Sequence, residues 1–367
     1  MSRILVYGSI NIDEVYTVPH IVRPGETIGT TERLEVAGGK GANSCVAMSM
    51  AGGESYLLAK IGEDGKWVKD IIESKGTNIE MISESKSEQT GRAIIQVSEK
   101  DGENSILLFK GGNHRHEYQE TIEKIDRAGF GKNDYLVLAN ETNLILEIVK
   151  YCKTERNMTV VYNPAPMPQF DSVYDYCETG KKEKEGVNES SKCNRGTPRL
   201  WRDIMKQVLE YVDVLVVNET EMEALYQEVC DQKGNEQEVD YVEMLKLLKE
   251  KIGSIKTIVM TLGSKGVVCG HGDHEILRCG IAPIDQSKVI DTTAAGDTWI
   301  GYFVVELANQ SKDSVSADGS AGITVEMLNS AMKVASHASG LSVCSKGAIP
   351  SIPPRSEVIR FLNNECI

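Results

Sequence analysis

The feature that most constrains the fold is a regular alternation of helical patterns and short apolar runs from about residue 118 onward. The apolar runs occupy residues 135–139, 159–162, 214–217 and 257–261, and each follows a segment of helical character. Parallel strands cannot be joined by tight turns and need crossover connections, which are usually helices. The alternation therefore predicts βαβ units that build a mostly parallel sheet covered by helices.

Two β-like segments interrupt this pattern nearer the N-terminus. Residues 14–37 contain a Pro-Gly turn, and residues 89–110 contain an Asp-Gly pair between two apolar runs, which is typical of a β-hairpin. We predict that the two segments form a small sheet outside the main domain. Residues 171–200 are polar and of mixed charge, so an exposed insertion is predicted there.

The composition narrows the range of partners. The formal net charge of −14 disfavours a polyanion such as nucleic acid as the main partner. The 9 cysteines contain no C-x-x-C pair, which favours reduced thiols over a disulfide framework or a structural zinc site. The N-terminal residues lack a signal-peptide pattern, and no apolar run approaches the length of a membrane span. We therefore expect a cytoplasmic protein whose 367 residues allow one α/β domain with an appendage.

Residues 291–297, Asp-Thr-Thr-Ala-Ala-Gly-Asp, lie between a β-like run at 288–290 and an apolar helical pattern at 299–305. The first N–H groups of a helix attract anions, and small residues let an anion approach them. An aspartate is repelled by a phosphate beside it, so Asp297 makes chemical sense as a general base for a hydroxyl that attacks the phosphate. The alternative is an acid that only caps the helix. These seven residues alone leave both interpretations open.

Further polar residues lie near the N-terminus, close to where open α/β sheets bind ligands. Asn11 and Asp13 come just after the first apolar run, and a carboxylate there can accept hydrogen bonds from two sugar hydroxyls. Turn formation is the alternative role for both. The glycine-rich loop 38–43 is not a Walker A motif, but its Lys40 and Asn43 offer donors to a polyol. A glycine-rich turn with an incidental lysine is the alternative.

Two later motifs indicate phosphate and nucleotide chemistry. The sequence Asn218-Glu-Thr-Glu221 follows an apolar run and opens a helix, and a carboxylate near phosphates can hold Mg²⁺ through waters. An N-cap with first-turn acids is the alternative, and the two roles can coexist. The turn at 261–266, Thr-Leu-Gly-Ser-Lys-Gly, has glycines that let the backbone approach a nucleotide, although such turns are common.

Together these motifs resemble the ribokinase (PfkB-type) family of sugar kinases. Residues 291–297 match the family signature whose last Asp is the catalytic base, and residues 8–13 with 38–43 resemble the ribokinase branch in particular. The resemblance runs in family order from near residue 4 to near residue 353. It implies a single domain over residues 1–367, a three-layer α/β sandwich with a mostly parallel central sheet. The two β-like segments would form a small β lid over the sugar.

The resemblance also implies an activity, which is transfer of the γ-phosphoryl group of Mg·ATP to the 5-hydroxyl of D-ribose. Asp297 would be the base, and the N–H groups of Ala294, Ala295 and Gly296 would form an anion hole. The residues implied to contact the sugar are Asn11, Asp13, Gly39, Lys40, Gly41, Ala42, Asn43 and Glu141. Those implied to bind ATP are Asn218, Thr261, Leu262, Gly263, Ser264, Lys265, Gly266, Gly296 and His337.

Cations and a protein partner are implied in the same way. Glu221 would hold Mg²⁺ through water. K⁺ would act as a monovalent activator, and the residues implied to bind it are Asp291, Thr293, Ser342, Ser345, Gly347 and Ser351. In this family the β lid is often the dimer contact, so we expect a homodimer and neither nucleic acid nor membrane as a partner.

Two rival functions stay open. One is a kinase of the same fold that acts on another sugar or on a nucleoside, although nucleoside kinases of the family usually carry a different sequence at 39–43. The other is a non-catalytic sugar-binding protein on the same fold, against which the presence of Asp297 and Gly296 argues. A nicotinamide dehydrogenase is a distant third, because residues 8–13 lack the G-x-G-x-x-G fingerprint.

Overall fold

The computed structural model describes residues 2–169, 172, 200–230, 240–310 and 322–363. The strands within these residues are β1 (Arg3–Tyr7), β2 (Asn11–Val18), β3 (Glu32–Gly38), β4 (Glu54–Leu58), β5 (Lys60–Gly62), β6 (Ser83–Ser85), β7 (Gly91–Ser98), β8 (Asn104–Phe109), β9 (Tyr135–Leu138), β10 (Thr159–Tyr162), β11 (Val214–Asn218), β12 (Thr257–Thr261), β13 (Val267–His271) and β14 (Leu277–Cys279).

Eight of these strands form the central sheet, in the order β14-β13-β12-β11-β10-β9-β1-β4. Neighbours from β4 to β12 pair in parallel, whereas β13 and β14 at one edge pair antiparallel. Four of the six strands that pair in parallel, β9 to β12, are the apolar runs that alternate with helices in the sequence. The predicted mostly parallel sheet is therefore confirmed.

Helices cover both faces of this sheet. The helices are α1 (Lys40–Met50), α2 (Lys66–Ser74), α3 (Tyr118–Arg127), α4 (Ile145–Thr154), α5 (Trp201–Leu209), α6 (Glu219–Val229), α7 (Tyr241–Ile252), α8 (Ala295–Gln310), α9 (Val325–Ser342) and α10 (Arg355–Leu362). Side chains alternate between the faces of a strand, so Ile4 and Val6 of β1 pack with α1, α2, α8, α9 and α10. Leu5 and Tyr7 pack with helices α3 to α7. The result is three layers with a hydrophobic core on each side of the sheet.

A second sheet lies apart from the central one and has the strand order β3-β2-β7-β8. Its strands fall within the segments 14–37 and 89–110, except that β2 begins at Asn11 and β3 ends at Gly38. We call this four-stranded sheet the lid sheet; its role as a lid stays a prediction. Its edge strand β8 leaves the side chains of Ile106, Leu107, Leu108 and Phe109 between 46% and 61% exposed.

Two local predictions were wrong. The β-like run at 288–290 forms no strand, because its backbone pairs with the end of α9 instead of a sheet, as in the bond from Ile290 N–H to Val343 O of 2.8 Å. The apolar run at 57–61 has the sequence pattern of one strand, and that prediction is also wrong: the chain leaves the central sheet after Leu58 and pairs again, as β5, with β6. The predicted insertion 171–200 lies outside the described residues, apart from Ser172 and Leu200.

Two further observations bear on the class of protein. In the described ranges no helix combines the length and the apolar character needed to cross a bilayer. The cysteines in those ranges all have free thiols; they are Cys45, Cys152, Cys230, Cys269, Cys279 and Cys344. The second observation agrees with the reduced state that the sequence predicts.

Candidate active site

The N-terminus of α8 forms the first part of the site. Ala294 has a left-handed backbone, with φ 59°, and the first regular helical bond runs from Thr298 N–H to Ala294 O at 2.8 Å. The Ala295 N–H donates to Thr292 O at 3.2 Å, whereas the Gly296 N–H has no partner among the described residues. A Cβ added at Gly296 would meet nothing within 4 Å, so open space adjoins this N–H group. Such a helix end can accept an anion.

Asp297 lies on the first turn of α8 and is buried, with 8% of its surface exposed. Its Oδ2 accepts a hydrogen bond of 2.9 Å from Nδ2 of Asn43, which belongs to α1. The Oδ1 of Asn43 is also buried and has no partner among the described atoms. A buried amide oxygen without a donor is costly, so this atom is a candidate acceptor for a hydroxyl from a ligand.

Asp13 contributes a second carboxylate. Burial, together with the nearby charges of Glu141 and Asp297, raises its pKa to about 7. The carboxylate lies over Gly38, where an added Cβ would come within 2.0 Å of the Asp13 Oδ2. The three carboxylates predicted from separate parts of the sequence therefore lie close together.

The other sugar-contact candidates line the same region. Asn11 Oδ1 accepts a bond of 2.8 Å from Nδ2 of Asn113, a residue that the sequence analysis missed. Gly39 has φ 96° and approaches Asn11 so closely that a Cβ would lie 2.8 Å from the Asn11 N. Asn113 also receives a bond from the Ile10 N–H at 3.0 Å, so it fixes the chain just before Asn11.

Glu141 follows β9 and anchors the glycine-rich loop. Its Oε2 accepts bonds from the Lys40 N–H at 3.0 Å and from the Ser9 hydroxyl. The Gly41 N–H donates to Ser9 Oγ at 3.3 Å, and the Ala42 N–H donates to Ser9 O at 2.9 Å. Gly41 and Ala42 therefore use their N–H groups to shape the loop. Ser9, which the sequence analysis did not select, is the residue on which they converge.

Lys40 connects the sugar and phosphate ends of the site. Burial alone would lower the pKa of its ammonium group, but the charges of Asp297, Glu141 and Glu221 outweigh burial and raise it. The lysine therefore carries a positive charge among three carboxylates. It partly offsets the repulsion that these carboxylates would exert on a phosphate.

Asn218 and Glu221 form a capping box at the start of α6. The Glu221 N–H donates to Asn218 Oδ1 at 2.8 Å, and the Asn218 N–H donates to Glu221 Oε2 at 3.0 Å. Asn163, which follows β10 and was also missed, donates from Nδ2 to the same Oε2 at 3.1 Å. Burial raises the pKa of Glu221, and hydrogen bonding and Lys40 oppose that rise.

Two cavities flank these groups. One, of about 340 Å³, is lined by Thr261, Gly263, Ser264, Gly266, Ala295 and Gly296, together with residues of α9. The other, of about 390 Å³, is lined by Asn11, Asn113 and Glu141 and by Leu108, Phe109 and Lys110 of the lid sheet region. Asp297 follows Gly296 of the first cavity, and its charge acts on Asp13 near the second. Neither Asp297 nor Asp13 lines either cavity.

Several predicted nucleotide residues do not line the first cavity. Leu262 is buried in the core beneath the turn, and the Lys265 ammonium lies 6.0 Å from the centre of the Tyr241 ring. The His337 ring packs edge-on against Phe361 at 5.3 Å. The wall that α9 contributes consists instead of Ser336, Ser339, Gly340 and Val343. Asn218 also lies outside the lining and serves the capping box.

The predicted K⁺ residues fall into two groups. The first group is held together by Asp291. Its Oδ1 accepts a hydrogen bond from the Thr293 N–H at 2.9 Å, and its Oδ2 accepts one from the Gly347 N–H at 2.8 Å. Ser342 and Ser351 are buried and donate to nearby carbonyls, Ser339 O and Ala348 O, both at 2.8 Å. Ser345 lies between these groups and its N–H bonds to Ser342 O at 3.1 Å.

Comparison with known proteins identifies this arrangement. Residues 1–355 match the profile described as pfkB family carbohydrate kinase. The chain is 31% identical to the ribokinase of Haemophilus influenzae over 369 residues, which cover 99% of each protein. It is also similar to the ribokinase of Cryptococcus neoformans var. grubii in complex with ADP, with a TM-score of 0.74, 31% identity and 98% of each chain covered. The ribokinase of Giardia lamblia superposes with a TM-score of 0.77 at 26% identity, covering 100% of this chain and 99% of that one. The resemblance predicted from the motifs is confirmed, and the chain belongs to the pfkB family of carbohydrate kinases.

Proposed function

We propose that this protein is an ATP-dependent ribokinase, which phosphorylates the 5-hydroxyl of D-ribose. The observation that carries the proposal is the position of Asp297, buried on the first turn of α8, one residue after the Gly296 that lines the first cavity and close enough to Asp13 for its charge to act there. The curated relatives of nearly full coverage at 31% and 27% identity are ribokinases, which favours ribose over other sugars.

The reaction follows from the groups at the α8 N-terminus. Asp297 accepts the proton of the 5-hydroxyl as the sugar oxygen forms a bond to the γ-phosphorus. The bond from that phosphorus to the β,γ-bridging oxygen breaks, and the electron pair leaves with ADP. The Gly296 N–H points at the charge that develops on the phosphoryl oxygens, and Ala294 and Ala295 shape the turn around it. Most of the catalysis then comes from positioning.

The sugar is held by the polar groups around Asp13. The Asp13 carboxylate accepts bonds from two hydroxyls, and the orphaned Oδ1 of Asn43 accepts a third. Asn11 and Glu141 are fixed by Asn113 and by the Lys40 N–H, so both enter the complex already oriented. Such preorganisation reduces the entropy lost on binding.

Mg²⁺ is proposed as the metal that accompanies ATP. Glu221 fits this role, because its carboxylate is held rigidly by Asn218 and Asn163 near the charges of Lys40 and Asp297. When bound through waters, the ion supplies positive charge to the phosphates. K⁺ is proposed at the loops of Asp291 and Gly347, which offer a carboxylate and backbone carbonyls, the hard oxygen ligands that such an ion prefers.

The lid sheet is proposed to close over the sugar and to join two copies of the chain. β8 pairs with β7 along one edge, and its other edge has no strand partner among the described residues. Its four apolar side chains, 106–109, are about half exposed, which is the pattern of an interaction surface. We expect the backbone amides of the lid sheet to exchange hydrogen with solvent more slowly when ribose is bound, as measured by hydrogen exchange.

Sedimentation should give a dimer. Leu107→Lys should weaken this dimer, whereas Tyr118→Lys, at an exposed aromatic residue on α3, should not. The free cysteines agree with a cytoplasmic location.

The substrate is tested by ATP consumption across D-ribose, 2-deoxyribose, a hexose and adenosine. We expect kcat/KM for D-ribose to exceed the others by at least about tenfold. 5-Deoxyribose is the matched control, because it keeps the other hydroxyls and lacks the one that is phosphorylated. Faster turnover of a nucleoside would favour the first rival function, and ribose binding without turnover would favour a non-catalytic sugar-binding protein.

A further inference from the structure

Helices α1 and α8 contact each other one turn beyond the reacting groups. At the first contact, Nδ2 of Asn43 on α1 bonds to Oδ2 of Asp297 on α8. Four residues further along each helix, Ala47 and Gly301 form the second contact. An α-helix has 3.6 residues per turn, so residues four apart lie on one face, and the two contacts form adjacent steps of one interface.

At the second contact the two helices are so close that position 301 has no room for a side chain. A Cβ added at Gly301 would lie 2.4 Å from the Ala47 Cβ, 2.9 Å from the Met48 N and 3.0 Å from the Ala47 carbonyl carbon. The last two are backbone atoms, and the Cβ of an alanine cannot rotate away. A larger residue at position 301 therefore moves one helix relative to the other.

Among the described residues, no other side-chain hydrogen bond holds the first contact, between Asn43 and Asp297. Asn43 lies near the N-terminal end of α1, and its own N–H donates to Gly39 O at 2.9 Å. Its Oδ1 has no partner among the described atoms. The amide is held from one side only, by Asp297. Its orientation, and that of the carboxylate, thus depend on the separation of the two helices.

We propose that the α1–α8 crossing is a positioning device in which Gly301 and Ala47 set the helix separation and Asn43 transmits it to Asp297. Asn43 occupies Oδ2, so Oδ1 of Asp297 is the oxygen that receives the proton of the sugar hydroxyl. Gly301 is a positioning residue and touches no substrate. The inference rests on the proposed role of Asp297 as the base.

Gly301→Ala is the first test. Displacement of the carboxylate by a fraction of an ångström to one ångström is expected to lower kcat about ten- to a hundredfold. Calorimetric Kd values for ribose and for ATP should change much less than kcat, because Asn43 is only one of several proposed sugar contacts and the others remain in place. Gly270→Ala is the matched control: it adds a Cβ 2.4 Å from Leu245 Cδ2 on the layer of α7, away from Asp297. It should lower Tm by a comparable few degrees and leave kcat unchanged.

A double-mutant cycle separates positioning from general disruption. If Gly301 acts through Asn43, then Gly301→Ala should lower kcat by less than about twofold in an Asn43→Ala background. Additive losses, or a full kcat in folded Gly301→Ala, would overturn the proposal. Adding Ala47→Gly to Gly301→Ala removes the nearest clash and should restore part of kcat. If Gly301→Ala does not fold, Ala47→Ser enlarges the same contact less severely, and an unchanged kcat in that variant overturns the proposal.

Failure of this inference can be told apart from failure of the proposed function. If Asp297→Asn abolishes turnover and Gly301→Ala does not lower it, only the positioning role is wrong. If Asp297→Asn retains turnover, the assignment of the base is wrong and the positioning proposal falls with it.

Discussion

The central sheet and the lid sheet differ most in how much of their surface is covered. Residues 4–7 of β1 are at most 2% exposed, because helices cover both faces of the central sheet. In the lid sheet, residues 106–109 of β8 are about half exposed. Sites built on buried elements keep their geometry, whereas sheets with few apolar contacts move at little cost. If the proposed function holds, we expect phosphate chemistry to belong to the covered body and part of sugar recognition to the more exposed lid sheet.

The lid sheet is attached to the body by Ile12 and Ala37, which belong to the hydrophobic core, and by polar contacts. Arg92 of β7 pairs with Glu14 of β2 and, at 2.8 Å, with Asp64 of the body. Asp64 also accepts bonds from the N–H and the hydroxyl of Thr90, at 2.9 and 2.7 Å. Partly exposed ion pairs contribute at most about 1 kcal/mol each, so these polar contacts add little to the stability of the attachment.

The largest effect is expected for Asp297, which represents the rigid body in this comparison. Asp297→Asn removes the base but keeps the side-chain shape, so kcat should fall about 10²–10⁴-fold. Ribose and ATP binding should persist, and isothermal calorimetry on the variant measures both. Turnover within a few-fold of the wild type would contradict the role of Asp297 and place the chemistry elsewhere.

Asp13 represents the lid sheet, and its loss should act on binding rather than on the chemical step. Asp13→Ala leaves two sugar hydroxyls unpaired, at about 1–3 kcal/mol for each group. Ribose affinity should therefore fall by about tenfold or more, with the Kd for ATP nearly unchanged. Calorimetry with each ligand separately checks this, and equal weakening of both ligands would remove the distinction between the two sheets.

The pH dependence of ribose binding sharpens the same distinction. Burial, with the charges of Glu141 and Asp297, raises the pKa of Asp13 to about 7. Below that pH the carboxyl is protonated and accepts bonds less well, and above it the carboxylate accepts from both hydroxyls. The KM for ribose should therefore decrease between about pH 6 and about pH 8, by at most about tenfold per unit. Asp13→Asn should flatten this dependence, and an equal slope in that variant would assign it to another group.

The same raised pKa affects stability. The folded state binds the Asp13 proton more tightly than the unfolded chain, so stability falls as the pH rises from the ordinary aspartate range to about 7. Asp13→Asn removes the charge and should raise Tm at about pH 8, as a thermal scan at two pH values would show. A site that is destabilised in the free protein in this way is typical of ligand-binding residues.

The central sheet was predicted well from the sequence, because its strands are recognisable as local apolar runs and their order along the chain indicates how they pair. Each of the strands β9 to β12 is an apolar run that follows a helical segment, and the alternation itself limits the topology. The break between β4 and β5 has no such signal. It depends on pairing of residues 60–62 with 83–85, which are distant in the sequence. The absence of a strand at 288–290 likewise follows from bonds to α9.

Site residues divide in a similar way. Asp13, Glu141 and Asp297 carry charge at strand or helix ends, so they stand out in the sequence. Asn113 and Asn163 are ordinary polar residues whose importance arises from partners 102 and 58 positions away. His337 illustrates the limits of alignment: neighbouring helix residues differ by about 100° in direction, so an error of one position selects the wrong face. Ser336 lines the cavity, and His337 packs on Phe361.

The smallest effect is expected from K⁺, which would act on loops of the rigid body. Burial would raise the pKa of Asp291, but hydrogen bonds from Thr293 and Gly347 lower it, so the carboxylate stays anionic and suits a cation. The Asp291–Gly347 bond of 2.8 Å already joins the two loops without an ion. K⁺ should therefore increase kcat only about two- to tenfold, through a small improvement in the orientation of the Gly296 N–H. Rates in potassium, sodium and tetramethylammonium chlorides at equal ionic strength keep general screening constant. Asp291→Asn should remove the difference between the salts, whereas identical rates in all three salts for the wild type would exclude the K⁺ site and leave the roles of Asp297 and Asp13 intact.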